Sequence, residues 1–185
     1  MPLSDPAPRE PIHTRRVECR GYRRADGLWD IEAHLVDTKS YVFKNGWRGE
    51  IEPGVPVHEM WIRVTLDDAF IVHDAEAASD YVPFAPCPEA APQFKRLKGL
   101  KIGTGWRRKV QEMFGGSQSC THLVELLGPL ATTAFQTIYP LRESREREAI
   151  ARGPRPRPPI IDTCHALRSD GEVVKRFWPE FYTGP

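Results

Sequence analysis

The chain has 185 residues, of which 40% are apolar and 28% are charged. This composition is typical of globular proteins and excludes collagen-like, fibrous and wholly disordered classes. The 26 basic residues almost balance the 25 acidic ones, leaving a net charge of +1. A nucleic-acid-binding protein normally carries a basic surplus, so this balance predicts no nucleic-acid partner.

Neither a targeting signal nor a membrane span is predicted. Residues 1–11 contain charges and four prolines, and no apolar stretch of signal-peptide length. The longest uncharged stretch, residues 126–141, is interrupted by glycine and proline and is a poor membrane span. The cysteines are Cys19, Cys87, Cys120 and Cys164. They form no CxxC motif, so we expect reduced thiols in a cytoplasmic protein.

Prolines mark the expected domain organisation. The chain has 18 prolines, about twice the usual ~5%. They predict a Pro-rich tail over residues 1–12, followed by a single α+β domain over residues 13–185. Within that domain, residues 142–159 form a charged segment that ends in a Pro-Arg block.

Alternation of apolar and polar residues predicts strands in the first half. We expect strands at Arg15–Arg24, in GLWDIEAHLVD, in VPVHEMWIRVTLDD and at Phe70–Asp74. The second strand places Trp29, Ile31, Ala33 and Leu35 on one face. The third places His58 on the same face as Met60, Ile62, Val64 and Leu66. An antiparallel sheet with one covered face follows.

Helical periodicity replaces the alternation after residue 88. It predicts helices at Pro88–Leu97, Trp106–Phe114, Ser119–Ile138 (kinked at Pro129) and Leu141–Ala151. Residues 160–178 return to alternation, and Asp170-Gly171 between two runs predicts a hairpin. The expected fold class is α+β, with an antiparallel sheet covered on one face by a few helices and closed by a C-terminal hairpin.

The string GGSQSCTHLVELL, residues 115–127, carries the most chemistry. It puts Cys120 and His122 at the start of a helix, where the dipole favours a thiolate. The two side chains are neighbours only if Cys120 lies at or before the cap. They then suit either a nucleophilic pair or two metal ligands. The alternative is a buried structural cysteine beside a helix-capping histidine.

His58 is the second candidate, because an imidazole on an apolar strand face is either a hydrogen-bonded core group or a base or ligand. Two sets of site residues follow. The catalytic set is His58, Cys120 and His122. The metal set of the alternative hypothesis is His58, Cys120, His122 and Cys164, with zinc or iron as the possible ion, although the spacing matches no standard zinc pattern.

Three arginines are candidate anchors for a substrate carboxylate. They are Arg20 and Arg23 of the first strand and Arg63 of the third. No nucleotide-cofactor motif accompanies them, because the glycines of KIGTGW lack the phosphate-loop patterns.

Several strings together resemble the bacterial domain of unknown function 2889 family. They are GYRRADGLWDIEAHLVDTK, GVPVHEMWIRVTLDD, LKGLKIGTGWRRKV, GGSQSCTHLVELL and DTCHALRSDG. The likeness covers residues 13 to 180. Family members usually have glycine before Cys-Thr-His-Leu, where this chain has Ser119. The resemblance implies no reaction, but it supports His58, Cys120, His122 and Cys164 as site residues.

The leading functional hypothesis is a small-molecule enzyme of bacterial catabolism, a lyase or hydrolase. Its substrate would be an aromatic or acyl-type intermediate, and its chemistry acid–base or thiol. The alternatives are a metal- or ligand-binding accessory protein without turnover, and a structural subunit that docks a partner through its Pro-rich ends. A homo-oligomer remains open.

Overall fold

The structure is a computed structural model that describes residues 3–149 and 156–185. The backbone divides into two compact units, Met1–Glu143 and Ser144–Pro185. Part of the charged segment expected over residues 142–159 falls outside the described residues. The tail over residues 1–12 and the single domain over residues 13–185 stay predictions.

A four-stranded antiparallel sheet forms the centre of the first unit. Its strands are β1 (His13–Arg23), β2 (Trp29–Lys39), β5 (Pro56–Leu66) and β6 (Val72–Tyr81), in the order β1-β2-β5-β6. Two short strands, β3 (Phe43–Asn45) and β4 (Gly49–Ile51), pair in a separate small sheet. With the helices described below, this sheet confirms the α+β class.

The alternation in the sequence correctly predicts which face of the sheet is covered. Trp29 and Ile31 of β2 are buried, as are Met60 and Val64 of β5. On the opposite face Trp61 stacks on the ring of His34 with centroids 3.4 Å apart and remains 40% exposed. Apolar side chains therefore gather on the inner face, and aromatic, polar and charged ones meet solvent.

Four helical segments begin after the sheet in the first unit, one of them a single 3₁₀ turn at Gly116–Gln118. A 3₁₀ helix spans Cys87–Leu97, α1 spans Trp106–Phe114 and α2 spans Thr121–Ala149. Helix α1 matches its predicted bounds. It begins after Gly105, whose φ of +83° suits glycine, and is capped by Gly115. The two helices expected on either side of residue 140 form one helix, which continues through Pro129 and Pro140.

Helix α2 runs along β1 in the same direction. The side chain of Glu125 meets Arg15 of β1, and Thr137 reaches Gly21. Between these two contacts the strand advances six residues, or about 20 Å, and the helix twelve residues, or about 18 Å. The two elements therefore cover nearly the same distance. A Cβ atom on Gly21 would lie 2.8 Å from Cβ of Thr137. Only glycine permits this close approach.

The second unit does not contain the predicted hairpin. Its described part has a 3₁₀ helix at His165–Leu167, α3 at Glu172–Phe177 and a 3₁₀ helix at Pro179–Phe181. The hairpin was predicted because Asp-Gly favours a turn with positive φ at both residues. Gly171 instead has a φ of −100° and serves as the N-cap of α3. The prediction of a closing hairpin is therefore wrong.

No helix among the described residues is long and apolar enough to cross a membrane.

The contact between β1 and α2 yields a stability prediction. Gly21→Ala should lower the free energy of unfolding by about 1–3 kcal/mol, because the methyl group overpacks against Thr137. Gly46→Ala is the matched control, since a Cβ there meets nothing within 4 Å. Chemical denaturation of both variants measures the difference. Equal stability of the two variants would show that α2 does not approach β1 as closely as described.

Candidate functional site

A buried carboxylate lies at the centre of the site. Asp37 continues the inward-facing row of β2 after Leu35 and is 1% exposed. The sheet register places Arg15 of β1 and His58 of β5 directly opposite Asp37, one on each side. Directly opposite side chains on one face of a sheet lie within contact distance, so the register alone assembles this row.

Arg15 neutralises the carboxylate of Asp37 through a bidentate ion pair. Its Nε donates to Oδ1 of Asp37 and its Nη2 to Oδ2, each at 2.8 Å. Nη1 of the same guanidinium donates to Glu125 at the start of α2. Burial by itself would raise the pKa of Asp37, but the hydrogen bonds and charge of Arg15 outweigh burial and lower that pKa. Asp37 is therefore ionised at neutral pH.

Three imidazoles surround the same carboxylate. His13 Nε2 lies 3.2 Å from Oδ1, while His58 Nδ1 lies 3.0 Å from Oδ2. His122, near the start of α2, places Nε2 at 3.7 Å from Oδ2. The rings of His58 and His122 face each other with centroids 3.9 Å apart and planes inclined by 31°.

Both facing histidines are held in the neutral form. Burial, together with the neighbouring His122, lowers the pKa of His58 to about 4. Burial and the positive charge of Arg15 lower the pKa of His122. Asp37 opposes both shifts but does not overcome them. At pH 7 each ring therefore has one nitrogen with a free lone pair, which can accept a proton or bind a metal.

The buried Nδ1 of His58 has no hydrogen-bond partner among the described residues. Its 3.0 Å approach to Asp37 is short enough for a hydrogen bond, but it lies off the axis that a ring N–H requires. We regard it as a charge contact, because a hydrogen bond weakens steeply with misalignment. A buried polar atom without a partner is costly and calls for an explanation.

Cys120 lies immediately before the first residue of α2, as the predicted cap geometry requires. The carbonyl of Cys120 accepts the hydrogen bond of the Val124 N–H at 3.0 Å. Its Sγ lies 3.9 Å from Nδ1 of His122 and 3.7 Å from Sδ of Met60. The thiol and the imidazole are therefore neighbours, although they are two residues apart in a helical sequence.

A pocket of about 560 Å³ opens beside these groups. Its wall includes His58, Cys120 and His122, together with segments of the 3₁₀ helix and of the loop before α2. Cys87 also lines it. All three predicted catalytic residues thus face one cavity large enough for a small molecule.

The other predicted residues lie elsewhere. Arg20 is exposed and paired with Glu18, and it lines a small depression on the outer face of the sheet. Arg63 lies on the same outer face and pairs with Glu76. Arg23 covers the ring of Trp29, eight residues along β1 from Arg15, or about 26 Å. None of these arginines lines the pocket. Cys164 belongs to the second unit, where it is exposed.

Sequence reasoning missed Asp37 and Arg15. The signal for Asp37 was present, because it occupies the next alternate position after Leu35 in GLWDIEAHLVD. A carboxylate that continues an apolar row must be buried and must find a cation. Arg15 had no such signal, because only the register between β1 and β2 brings it opposite Asp37.

Removing Arg15 should strongly destabilise the fold. Arg15→Gln leaves the buried carboxylate of Asp37 without its main counter-charge, which typically costs about 3 kcal/mol or more. Arg20→Gln, which breaks an exposed pair with Glu18, is the control and should cause no measurable change. Thermal or urea unfolding compares the two. Similar losses in both variants would contradict the assignment of Arg15 as the main counter-charge.

The lowered pKa of His58 predicts a loss of stability in mild acid. In the unfolded chain His58 titrates near 6.5, and in the folded chain near 4. Between these values the unfolded state binds more protons, so stability falls as pH decreases, by up to about 3 kcal/mol. His58→Gln should flatten this dependence between pH 6.5 and 4, measured by urea unfolding. His34→Gln, on the outer face, should keep it, and a His58→Gln profile as steep as wild type would refute the prediction.

The comparisons with known proteins identify a family but no activity. No curated protein matches the chain, and no solved structure matches it. The profile of one family, described as "Protein of unknown function (DUF2889)", matches residues 13–136, which include β1, the central sheet and the site residues Arg15 to His122. Since this match covers more than half of the chain, the protein belongs to the DUF2889 family.

Proposed function

We propose that the protein is a small-molecule hydrolase that uses Cys120 as a nucleophile towards acyl-type substrates, including aromatic ones. The observation that carries the proposal is the sequence of contacts Cys120–His122–Asp37, in which Cys120 and His122 line a pocket and Asp37 is buried behind them. A nucleophile, a base and a group that orients the base are the parts that covalent acyl transfer requires.

The two nitrogens of His122 face different partners. Nδ1 lies 3.9 Å from the thiol of Cys120, and Nε2 lies 3.7 Å from the carboxylate of Asp37. A proton on Nε2 therefore faces a negative charge, which favours the tautomer whose Nδ1 can accept the thiol proton. Catalytic contacts are commonly longer without substrate and shorten when it binds.

The start of α2 supplies electrostatic support. The first N–H groups of a helix lack partners within the helix, and the dipole favours negative charge there. Cys120 directly precedes these groups. They are placed to stabilise an oxyanion that forms beside Cys120.

The proposed reaction has two steps and passes through a thioester on Cys120. His122 Nδ1 takes the proton of Cys120, and Sγ attacks the carbonyl carbon of the substrate. The leaving group departs with the proton from His122, and a thioester remains on Cys120. His122 then takes a proton from water, whose oxygen attacks the thioester; the C–S bond breaks, and Sγ of Cys120 takes the proton back from His122. The products are the free acid, the protonated leaving group and the original thiol.

The pocket favours an uncharged acyl group over an anion. Among the described lining residues there is no lysine or arginine, and Glu89 contributes a carboxylate. Phe84 and Met60 provide apolar surface. Because Arg20, Arg23 and Arg63 lie outside the pocket, their positions do not support a role as carboxylate anchors. We therefore infer an aryl ester or an acyl thioester as the substrate class.

The setting of the reaction is part of the proposal. All four cysteines are free thiols, which a reducing compartment such as the cytoplasm preserves. Catabolism of aromatic or acyl intermediates in a bacterium would produce such esters and thioesters. The metal- or ligand-binding accessory protein is the second candidate, favoured by the three potential ligand atoms that Asp37, His58 and His122 offer.

Trapping the acyl-enzyme tests the function. The protein should be mixed with a panel of aryl esters and acyl thioesters, and intact-mass spectrometry should follow the chain. We expect one substrate class to add its acyl group to Cys120, and kcat/KM to fall about 10²–10⁴-fold in His122→Gln. Cys120→Ser should abolish the adduct.

Cys164→Ser is the matched thiol control, because Cys164 is exposed and lies in the second unit. It should keep the adduct and the rate. The absence of turnover across the panel, or equal turnover in Cys120→Ser, would refute the proposed function.

A further inference from the structure

We propose that Asp37, His58 and His122 form a binding site for a divalent transition-metal ion, with zinc as the ion that fits best. The three side chains offer one ligand atom each, and these atoms all lie within 4.8 Å of one another. The set differs from the sequence-based one, because Asp37 takes the place of Cys120 and Cys164. Binding requires no turnover, so it does not depend on the proposed hydrolase activity.

The spacing of the ligand atoms suits a zinc ion. Around a tetrahedral zinc with bonds of about 2.0–2.1 Å, two ligand atoms lie about 3.3–3.4 Å apart. Oδ2 of Asp37 lies 3.0 Å from Nδ1 of His58 and 3.7 Å from Nε2 of His122. The two distances lie on either side of the required value. One bound ion requires the three ligand atoms, which all lie within 4.8 Å of one another, to adopt this separation.

The unpartnered Nδ1 of His58 is the second observation. This buried atom has no hydrogen-bond partner among the described residues and lies beside a carboxylate oxygen. If Nδ1 carries its lone pair, two electron-rich atoms face each other at 3.0 Å. A cation between them or beside them removes this repulsion and satisfies both atoms.

The charges around the site leave room for a cation. Arg15 contacts two carboxylates, Asp37 and Glu125, so the single charge of its guanidinium does not balance both. His13 approaches Oδ1 of Asp37, whereas His58 and His122 approach Oδ2. Arg15 thus resembles an outer-shell partner, which orients a ligating carboxylate by hydrogen bonding.

The site is open on the pocket side. His58 and His122 line the pocket of about 560 Å³, whereas Asp37 is buried behind them. Zinc sites with three protein ligands keep the fourth position for water or a substrate. A small molecule in this pocket could therefore reach the ion.

Metal binding and thiol catalysis exclude each other at His122. If Nε2 binds the ion, Nδ1 carries the ring proton and cannot accept the proton of Cys120. Zinc should therefore inhibit any thiol-dependent turnover. The bound ion would therefore not assist the reaction of Cys120.

Titration of the chelator-treated full chain with Zn²⁺ tests the site. Isothermal calorimetry should show one ion per chain. His58→Ala and His122→Ala should each weaken binding by more than the roughly 10–100-fold that loss of an outer-shell partner costs. His34→Ala is the control, because His34 bonds Glu59 on the outer face, and it should bind zinc as wild type does. Cys120→Ala should also retain binding.

Cobalt substitution provides a second measurement that does not depend on whether a variant folds. Wild-type protein with Co²⁺ should show a four- or five-coordinate spectrum without a thiolate charge-transfer band. No binding to the wild-type protein, binding of equal strength in His58→Ala, or a thiolate band would overturn the site. These outcomes are independent of acyl transfer, so failure of the metal site and failure of the hydrolase are distinguishable.

Discussion

The charge of Asp37 on the covered face of the sheet is the constraint on which the site depends. A carboxylate that is 1% exposed is tolerated only with charged or hydrogen-bonding partners. Arg15 meets this need from one neighbouring strand, and His58 lies opposite from the other. A register slip of one residue would turn Asp37 towards the other face. The ion pair between Asp37 and Arg15 and the register of the strands therefore stabilise each other.

Helix α2 brings the second half of the site to this carboxylate. Its first turn carries His122, and Cys120 precedes it. Further along, Thr137 packs on Gly21, where no other side chain would fit. Helix α2 is thus held against β1 at two points about 20 Å apart, at Gly21 and at the contact between Arg15 and Glu125.

Burial also determines the chemistry of the two histidines. Because water is excluded, the carboxylate of Asp37 requires Arg15 as a counter-charge. The same exclusion of water keeps the rings of His58 and His122 neutral. A neutral imidazole is both a general base and a metal ligand. The proposed hydrolase and the proposed zinc site draw on this one property, and they differ in whether Nε2 of His122 carries a proton or an ion.

The sequence by itself determined the α+β class, the inner face of the sheet and the bounds of α1, because these follow from local periodicity and capping. It also predicted His58, Cys120 and His122 as site residues, and the three line one pocket. It predicted a hairpin at Gly171 that the structure replaces with α3, since Asp-Gly fits a turn and a helix start equally well. Only the tertiary structure decided that Arg15 and Asp37 join the site. Strand register and helix packing are long-range, and no local pattern encodes which residues they bring together.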